Sequence, residues 1–393
     1  MLAQPRYVPA YKVRINGQDI PAALRSSVTS VRYEDGAQSA DRVEIGIANV
    51  DLRWLQQHIR GLGFPPFPTG AQVGPVRFGF TPDGLFDVDN TLELSLGYAD
   101  ALEHMFTGDI TGVEASFPSD GLPGMTLVAH DYMHRMAQGS WTRGFGPLPD
   151  AVIAMILAAE NRLVPAIDPA IIGTSSALAA MNYYFGGTGR KQRDQSDLEY
   201  LKEIAAQYDA DFWVEDDTLY LSRFFPKEYT PRLTLRWGES LLDFSPKINT
   251  VGQIEAAAMK FTLREIPLSF LVQVFFDFDR EVLGVKVIPG EGGKAPKQDS
   301  PPTCTTSDQP VSNPTDLVNS ALVVVRELRN KLNTRLTGTG SAVGDPRIRA
   351  GVIMRLEGLG PDFSGNYRVT SASHSIDTGG YRTTFEVRKE ILP

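Results

Sequence analysis

The residues of this chain that could do chemistry are few, and each stands where some part of the chemistry is missing. His130 and His134 lie four apart, a spacing that on a helix puts two imidazoles on one face, as a metal pair needs. Asp131, Tyr132 and Met133 fill the interval, so the glutamate of a zinc-protease motif is absent and no third ligand accompanies the pair. A strand-end histidine and an ordinary helix histidine account for both. Asp87-Val88-Asp89-Asn90 offers oxygen ligands but lacks the glycine and distant glutamate of a calcium loop, and reads as a solvated turn. Gly186-Gly187-Thr188-Gly189-Arg190-Lys191 has the composition of a phosphate cradle without the Gly-Lys-Ser/Thr order, and the next helix opens only at Ser196. Asp216-Asp217 is a hairpin tip. No Gly-x-Ser-x-Gly elbow occurs, and none of the 47 acidic residues is isolated as a perturbed acid for glycan hydrolysis. The expected inventory therefore holds no catalytic residue, no metal ligand and no cofactor site.

Composition narrows the class. A chain of 393 residues suits two or three domains, and 42% hydrophobic with 22% charged residues is the balance of a folded soluble protein. Ile254 to Phe276 is the most apolar stretch, yet Glu255, Lys260, Arg264 and Glu265 interrupt it, so no membrane helix is expected. Met1 to Lys12 lacks the apolar centre of a secretory signal. The single cysteine, Cys304, excludes an intrachain disulfide and a cysteine-based zinc site. A net charge of −9 argues against direct nucleic-acid binding, which needs clustered Lys and Arg.

The elements follow from periodicity. Tyr11, Val13 and Ile15 alternate into Asn16-Gly17, a hairpin signal that predicts a partner strand near Asp19 to Leu24. Val31 and Tyr33, then Val43, Ile45 and Ile47, then Thr91 to Tyr98, Met105 to Phe117 and Met125 to Ala129 continue a strand meander, a small barrel or sandwich. The middle changes period. Asp150 is placed to cap a buried helix from Ala151 to about Leu163, and Ser196-Asp197-Leu198-Glu199 has capping-box form before a face of Leu198, Leu201, Ala205 and Tyr208. Phe212 and Val214 with Leu219 and Leu221 make a hairpin over Glu215 to Thr218, completing an α+β module over 132–223. Strands return at Leu233 to Arg236, Val251 to Phe261 and Leu271 to Phe278. A linker-rich excursion is expected over 285–315, a helix from Asn313-Pro314 to Leu332, and strands at Gly351 to Leu356, Tyr367 to Ile376 and Tyr381 to Val387.

Phe106-Thr107-Gly108 has a counterpart in Phe363-Ser364-Gly365, and at one offset Ala115-Ser116 matches Ala372-Ser373. Each block has an apolar strand before it and a closing strand after it, as if one strand–turn–strand unit were used twice.

Four passages in order carry a family resemblance. They are Leu94 to Tyr98 leading to Met105–Ile110; Leu127 to Met136; Gln195 to Leu201 through Trp213 to Leu221; and Gly344-Asp345-Pro346 to Gly351 with Phe363 to Val369, His374 and Gly380 to Thr383. In this order the chain resembles the phage late control protein D, or tail hub, family, whose fold also forms the first part of type VI secretion VgrG spikes. Family members often carry a glycine just after the capped helix, where this chain has Asp209-Ala210.

The resemblance implies an α+β, β-rich fold: two related small β-barrel domains (1–131 and 224–393) with the intervening α+β module. It implies a homotrimer that adapts a sixfold inner tube to a threefold spike, with spike and baseplate wedge proteins as separate chains. Function would be mechanical, in a particle assembled in the bacterial cytoplasm. Phage tail, tailocin and extracellular injection system all stay open. A hub-associated cell-wall hydrolase and a monomeric β-rich binding module are the alternatives.

Overall fold

The computed structural model describes residues 8–49, 84–99, 101–208, 210–222, 230–249, 256–263, 269–277, 282–289, 305–311, 332–333 and 335–389. It is a β-rich α+β structure in which one large sheet runs through the first and last thirds of the chain.

The first third begins with β1 (Pro9–Ile15) and β2 (Gln18–Asp19), joined across Asn16 and Gly17 at φ 50° and 75°. Both values are those of a type I′ turn, which asparagine and glycine tolerate best. The partner strand is only two residues long, because Pro21 begins a helical turn at Ala22–Arg25 and so ends the predicted pairing before Leu24. β3 (Val28–Gly36), β4 (Arg42–Ala48), β5 (Thr91–Tyr98), β6 (Ala101–Ser116) and β7 (Gly124–Asp131) follow. Their spatial order is β3-β4-β7-β6-β5-β1-β2. Val43, Ile45 and Ile47 face inward from β4, as do Leu92, Leu94 and Leu96 from β5, the period-2 pattern of a sheet with one buried side. Val13 and Ile15 of β1 share a core with Val31 and Tyr33 of β3, so the sheet curls until its ends meet. Among the described residues no ladder joins β1 or β2 back to β3, and side-chain packing holds the curl.

The middle module has its own core. β8 (Trp141–Gly146) pairs with β10 (Arg190–Gln195), and β11 (Asp211–Glu215) pairs with β12 (Thr218–Ser222), which takes β9 (Val164–Ile167) in parallel. The helix Asp150–Glu160 is buried along Ala151, Ile153, Ala154, Leu157 and Ala158. Its cap position is Pro149, and Asp150 does not cap: its carboxylate bonds Arg190 Nε at 2.6 Å and accepts from Tyr208 Oη at 2.6 Å. The sequence reading missed the helix Pro169–Tyr184 altogether, although Asp168, which accepts from Ala170 N, and Pro169 form a good start signal. The helix Asp197–Gln207 has the capping box: Ser196 Oγ accepts from Glu199 N at 3.2 Å, and Glu199 Oε2 accepts from Ser196 N at 2.9 Å. Tyr200, Leu201, Ile204 and Ala205 are buried there, whereas Leu198 packs only partly. Asp197 is buried and answered by Arg143, Gln192 and Asn161 at 2.8, 3.0 and 2.9 Å.

The last third supplies β13 (Leu233–Arg236), β14 (Leu241–Ile248), β15 (Ala256–Leu263), β16 (Ser269–Asp277), β17 (Val282–Pro289), β18 (Thr305–Val311), β19 (Leu336–Val343), β20 (Ile353–Glu357), β21 (Gly365–Asp377) and β22 (Gly380–Arg388). β14, β19, β22, β21, β20 and β13 surround a third core, including Leu235, Leu241, Met354, Tyr367 and Phe385. β15 to β18 form a separate four-stranded sheet, ordered β17-β16-β15-β18. β18 and the end of β17 fall in the stretch expected to be a linker over 285–315. β18 contains Pro310 and, among the described residues, pairs only with β15, an edge position in which a missing N–H is tolerated. The expected helix from Asn313 lies outside the described residues, except that Leu332 and Asn333 are helical.

Replacing Ser196 with alanine removes one half of the capping box and is expected to cost about 1 kcal/mol. Faster hydrogen exchange confined to the first turn of Asp197–Gln207 is the measurement that checks it.

Candidate functional site: a buried junction and two unpaired edges

β21 is the residue-level hinge between the two halves of the large sheet. Along one edge it pairs with β20 through Gly365–Arg368 and then with β3 through Ser371–Ile376; along the other it pairs with β22. Val369 and Ala372 belong to the third core, while Ile376 and Tyr381 belong to the first. The register sets Ala372 opposite Asp35, His374 opposite Tyr33 and Ile376 opposite Val31.

Beneath this seam lies a polar cluster in which Tyr33, Asp35 and Asp131 are buried and Asp41 and Arg349 are partly buried. Tyr33 Oη donates to Asp41 Oδ2 at 2.6 Å and accepts from Arg349 Nη2 at 2.8 Å. Arg349 Nε donates to Asp35 Oδ2 at 2.7 Å, and that oxygen also accepts from Ala350 N at 3.1 Å. Gly36 N donates to Asp41 Oδ1 at 3.3 Å, and Asp131 Oδ1 accepts from Met133 N at 3.1 Å. Burial pushes the Tyr33 phenol well up, and burial with the neighbouring Asp35 charge raises Asp41. Burial brings Asp131 to about 7. Burial works against the Arg349 charge, but Tyr33, Asp35 and Asp41 outweigh it and raise the guanidinium above its ordinary value.

His374 completes the seam. Its Nε2 lies 2.9 Å from Ile348 O, a carbonyl that can only accept, so Nε2 carries the proton. Nδ1 is then the acceptor for Tyr381 Oη at 2.9 Å and Thr383 Oγ1 at 3.0 Å. Burial lowers the imidazole to about 4. Each titratable group in the cluster is therefore held by a backbone group or by another side chain. That arrangement fixes two sheets together, and Asp35, Asp41, Asp131 and Arg349 also line a pocket of about 360 Å³. A cleft of about 700 Å³ lies over the seam, lined by polar side chains such as Glu34, Arg42, Thr339 and Arg382 together with Ala40, Ala372 and Phe385.

The other candidates separate. His130 and His134 do approach, with ring centroids 6.3 Å apart, but from a strand and a following helical turn. His134 Nδ1 donates to Asp131 O at 2.6 Å, and His130 Nδ1 lies 2.7 Å from Thr111 Oγ1. Among the described residues no group of three His, Cys, Asp or Glu is placed to hold a metal ion. Asp87 does make a turn, its Oδ2 accepting from Gly84 N at 3.0 Å, yet it is buried rather than solvated. Gly186 and Gly189, both at φ 77°, turn the chain from a helix into β10, and a side chain on Gly189 would strike Gly146 O. Asp216, at the hairpin tip, accepts from Thr107 Oγ1 at 2.8 Å and so pins the module to β6. No helix among the described residues is long and apolar enough to cross a membrane.

The two halves repeat one layout. The order β3-β4-β7-β6-β5 has the same chain sequence as β14-β19-β22-β21-β20: first strand, second, closing, long, preceding. β-bulges coincide as well. β3 is bulged between Val28 and Ser30 and β14 between Leu241 and Asp243. β6 is bulged between Ile110 and Gly112 and β21 between Val369 and Ser371. The duplication expected from Phe106-Thr107-Gly108 is thus present, but in another register. The ladders set Ala372 against Val113, whereas the sequence match set it against Ala115, and Phe363 ends a helical turn while Phe106 lies within a strand.

No family model matches the chain, and no curated protein matches it in sequence. Solved structures do match in fold. A tail protein from Neisseria meningitidis aligns over 98% of this chain and 97% of its own, at 12% identity and TM-score 0.59. A 43 kDa tail protein of prophage MuSo2 from Shewanella oneidensis aligns over 98% and 99%, at 10% identity and TM-score 0.59. An E. coli component of the type VI secretion system, itself structurally similar to the T4 bacteriophage tail proteins gp27 and gp5, aligns over 97% and 80%, at 11% identity and TM-score 0.54. The chain has the fold of phage tail proteins.

The seam makes a pH-dependent prediction. A folded-state value of about 4 against the usual 6.5 means that His374 contributes stability that is fully present above about 6.5 and is lost as pH falls towards 4. Asp131, raised to about 7, acts with the opposite sign over the same window, but equally in wild type and a His374 variant. The stability gap between wild type and His374→Gln, measured by urea unfolding, should therefore narrow by about 3 kcal/mol from pH 7 to pH 4.

Proposed function

We propose that this chain is the structural hub of a contractile injection system or phage-like tail, a homotrimer that adapts a sixfold inner tube to a threefold spike and nucleates tube assembly. The observation that carries the reading is the duplicated five-strand layout inside one chain, together with bulges at matching places. Symmetry explains the use of such a duplication. A sixfold ring cannot make equivalent contacts with a threefold partner, but a trimer of duplicated halves offers six similar surfaces on one side and three on the other.

The fold of the tail proteins it resembles supports this role, and the likeness covers nearly the whole chain. The division into 1–131, 132–223 and 224–393 belongs to the same proposal and is supported by three separate hydrophobic cores. Partners are the inner tube protein, a spike protein and baseplate wedge components, in a particle assembled in the bacterial cytoplasm. The role is mechanical, not catalytic, in keeping with the seam's Asp35, Asp41 and His374, whose polar atoms are engaged within the fold.

Light scattering of the purified chain, alone and with its spike protein, tests the proposal. The expected mass is that of a trimer, at the latest once the spike is added. A monomer under both conditions overturns it.

A further inference from the structure

Among the described residues, two of the large sheet's unpaired edges are the counterparts of the two edges that meet inside the chain. β3 and β21 pair with each other at the seam. In the repeated layout β14 stands where β3 stands, and β6 stands where β21 stands. Among the described residues β14 from Asp243 onward pairs only with β19, and β6 beyond Ile110 pairs only with β7. Exposure follows. Ala372, His374 and Ile376 of β21 are 3%, 0% and 8% exposed, whereas Phe117, just past the end of β6, is 62% exposed and Ile248 of β14 is 53% exposed.

We propose that β14 of one copy pairs antiparallel with the end of β6 of the next copy, in the register that β3 and β21 display within the chain, and that this pairing closes the ring. This rests on the hub reading above and gives its subunit contact. The ladders determine the register without adjustment. The bulges place Val31 level with Phe244, Tyr33 with Pro246 and Asp35 with Ile248. They place Ala372 level with Val113, His374 with Ala115 and Ile376 with Phe117. Transferring the seam sets Phe117 opposite Phe244, Ala115 opposite Pro246 and Val113 opposite Ile248.

The side-chain chemistry of that register is self-consistent. Every position that would turn inward at the new seam is apolar. The alternate positions are polar, with Ser116 opposite Ser245 and Glu114 opposite Lys247, an oppositely charged cross-strand pair. A slip of one residue would turn the apolar set to the other face, and a slip of two would separate Glu114 from Lys247. Pro246 supplies no N–H, so the ladder has one donor fewer at that position. The contact is heterologous, one copy's β14 on another's β6, and therefore makes rings or open chains rather than twofold dimers. Three copies close it if the two kinds of seam together turn through one third of a full turn.

The test is disulfide trapping in the full chain with Cys304 replaced by serine. Glu114→Cys with Lys247→Cys in one chain should give covalent trimers on non-reducing gels, since directly opposed strand residues lie within disulfide reach. Glu114→Cys with Ser245→Cys, shifted by two, should trap far less. Mixing the two single variants Glu114→Cys and Lys247→Cys should give dimers and nothing larger, which also shows that each variant folds and pairs. A trimer by light scattering that is trapped only by the shifted pair, or by neither pair, overturns this interface and leaves the hub reading standing. Trapped polymers without a closed trimer overturn the ring. A chain that stays monomeric, alone and with the spike, and traps nothing overturns both.

Discussion

The pairing of β3 with β21 is the constraint on which the rest of the structure depends. These strands come from opposite ends of the chain, and their ladder turns two curled sheets into one continuous surface. A backbone ladder alone tolerates slippage, so register must be fixed by what lies beneath. Here it is fixed by Arg349, which reaches both Asp35 and Tyr33 of β3 from the loop before β20, and by His374, wedged between Ile348 O and Tyr381. Arg349 is partly exposed while Asp35 is buried, so losing the guanidinium would leave a largely desolvated carboxylate without its ionic partner. A slipped register would leave these groups unpaired, and the native one satisfies them together.

The same burial that ties the cluster into the seam also shifts its ionisation. Groups whose ionisation is shifted this strongly often mark active sites, and Asp131, Asp41 and His374 all qualify on that measure. What separates the cases is where their polar atoms point. Asp35 receives a guanidinium and a backbone amide, Asp41 a phenol and a backbone amide, and His374 has both ring nitrogens engaged. The shifts record the cost of burying a seam.

Much of this was legible in the sequence wherever local physics decides. Asn16-Gly17, the Ser196 capping box and the alternation of Val43, Ile45 and Ile47 each specify an element by themselves, and each is present. Three things were not legible. The helix Pro169–Tyr184 carries no strong amphipathic stripe, with only Ile171, Ser175 and Leu178 buried, so periodicity gave little signal beyond its start. The seam is a pairing across more than three hundred residues, and nothing in the composition near Asp35 points to Arg349. The true register of the repeat depends on bulges, which insert a residue without any sequence mark. Matching Phe106 to Phe363 therefore found the duplication and misplaced it by two residues.

What the two halves share and where they differ is itself informative. The strands from first to long correspond down to their bulges, although hardly any side chains are the same: Val43 stands level with Gly338 and Ile45 with Gly340. Beyond the preceding strand the correspondence ends. β5 takes β1 antiparallel, whereas β20 takes β13 in parallel. The repeated path is therefore set by backbone pairing and by where the bulges fall, and not by particular side chains, since a core position can pass from isoleucine to glycine while its ladder partners stay in step.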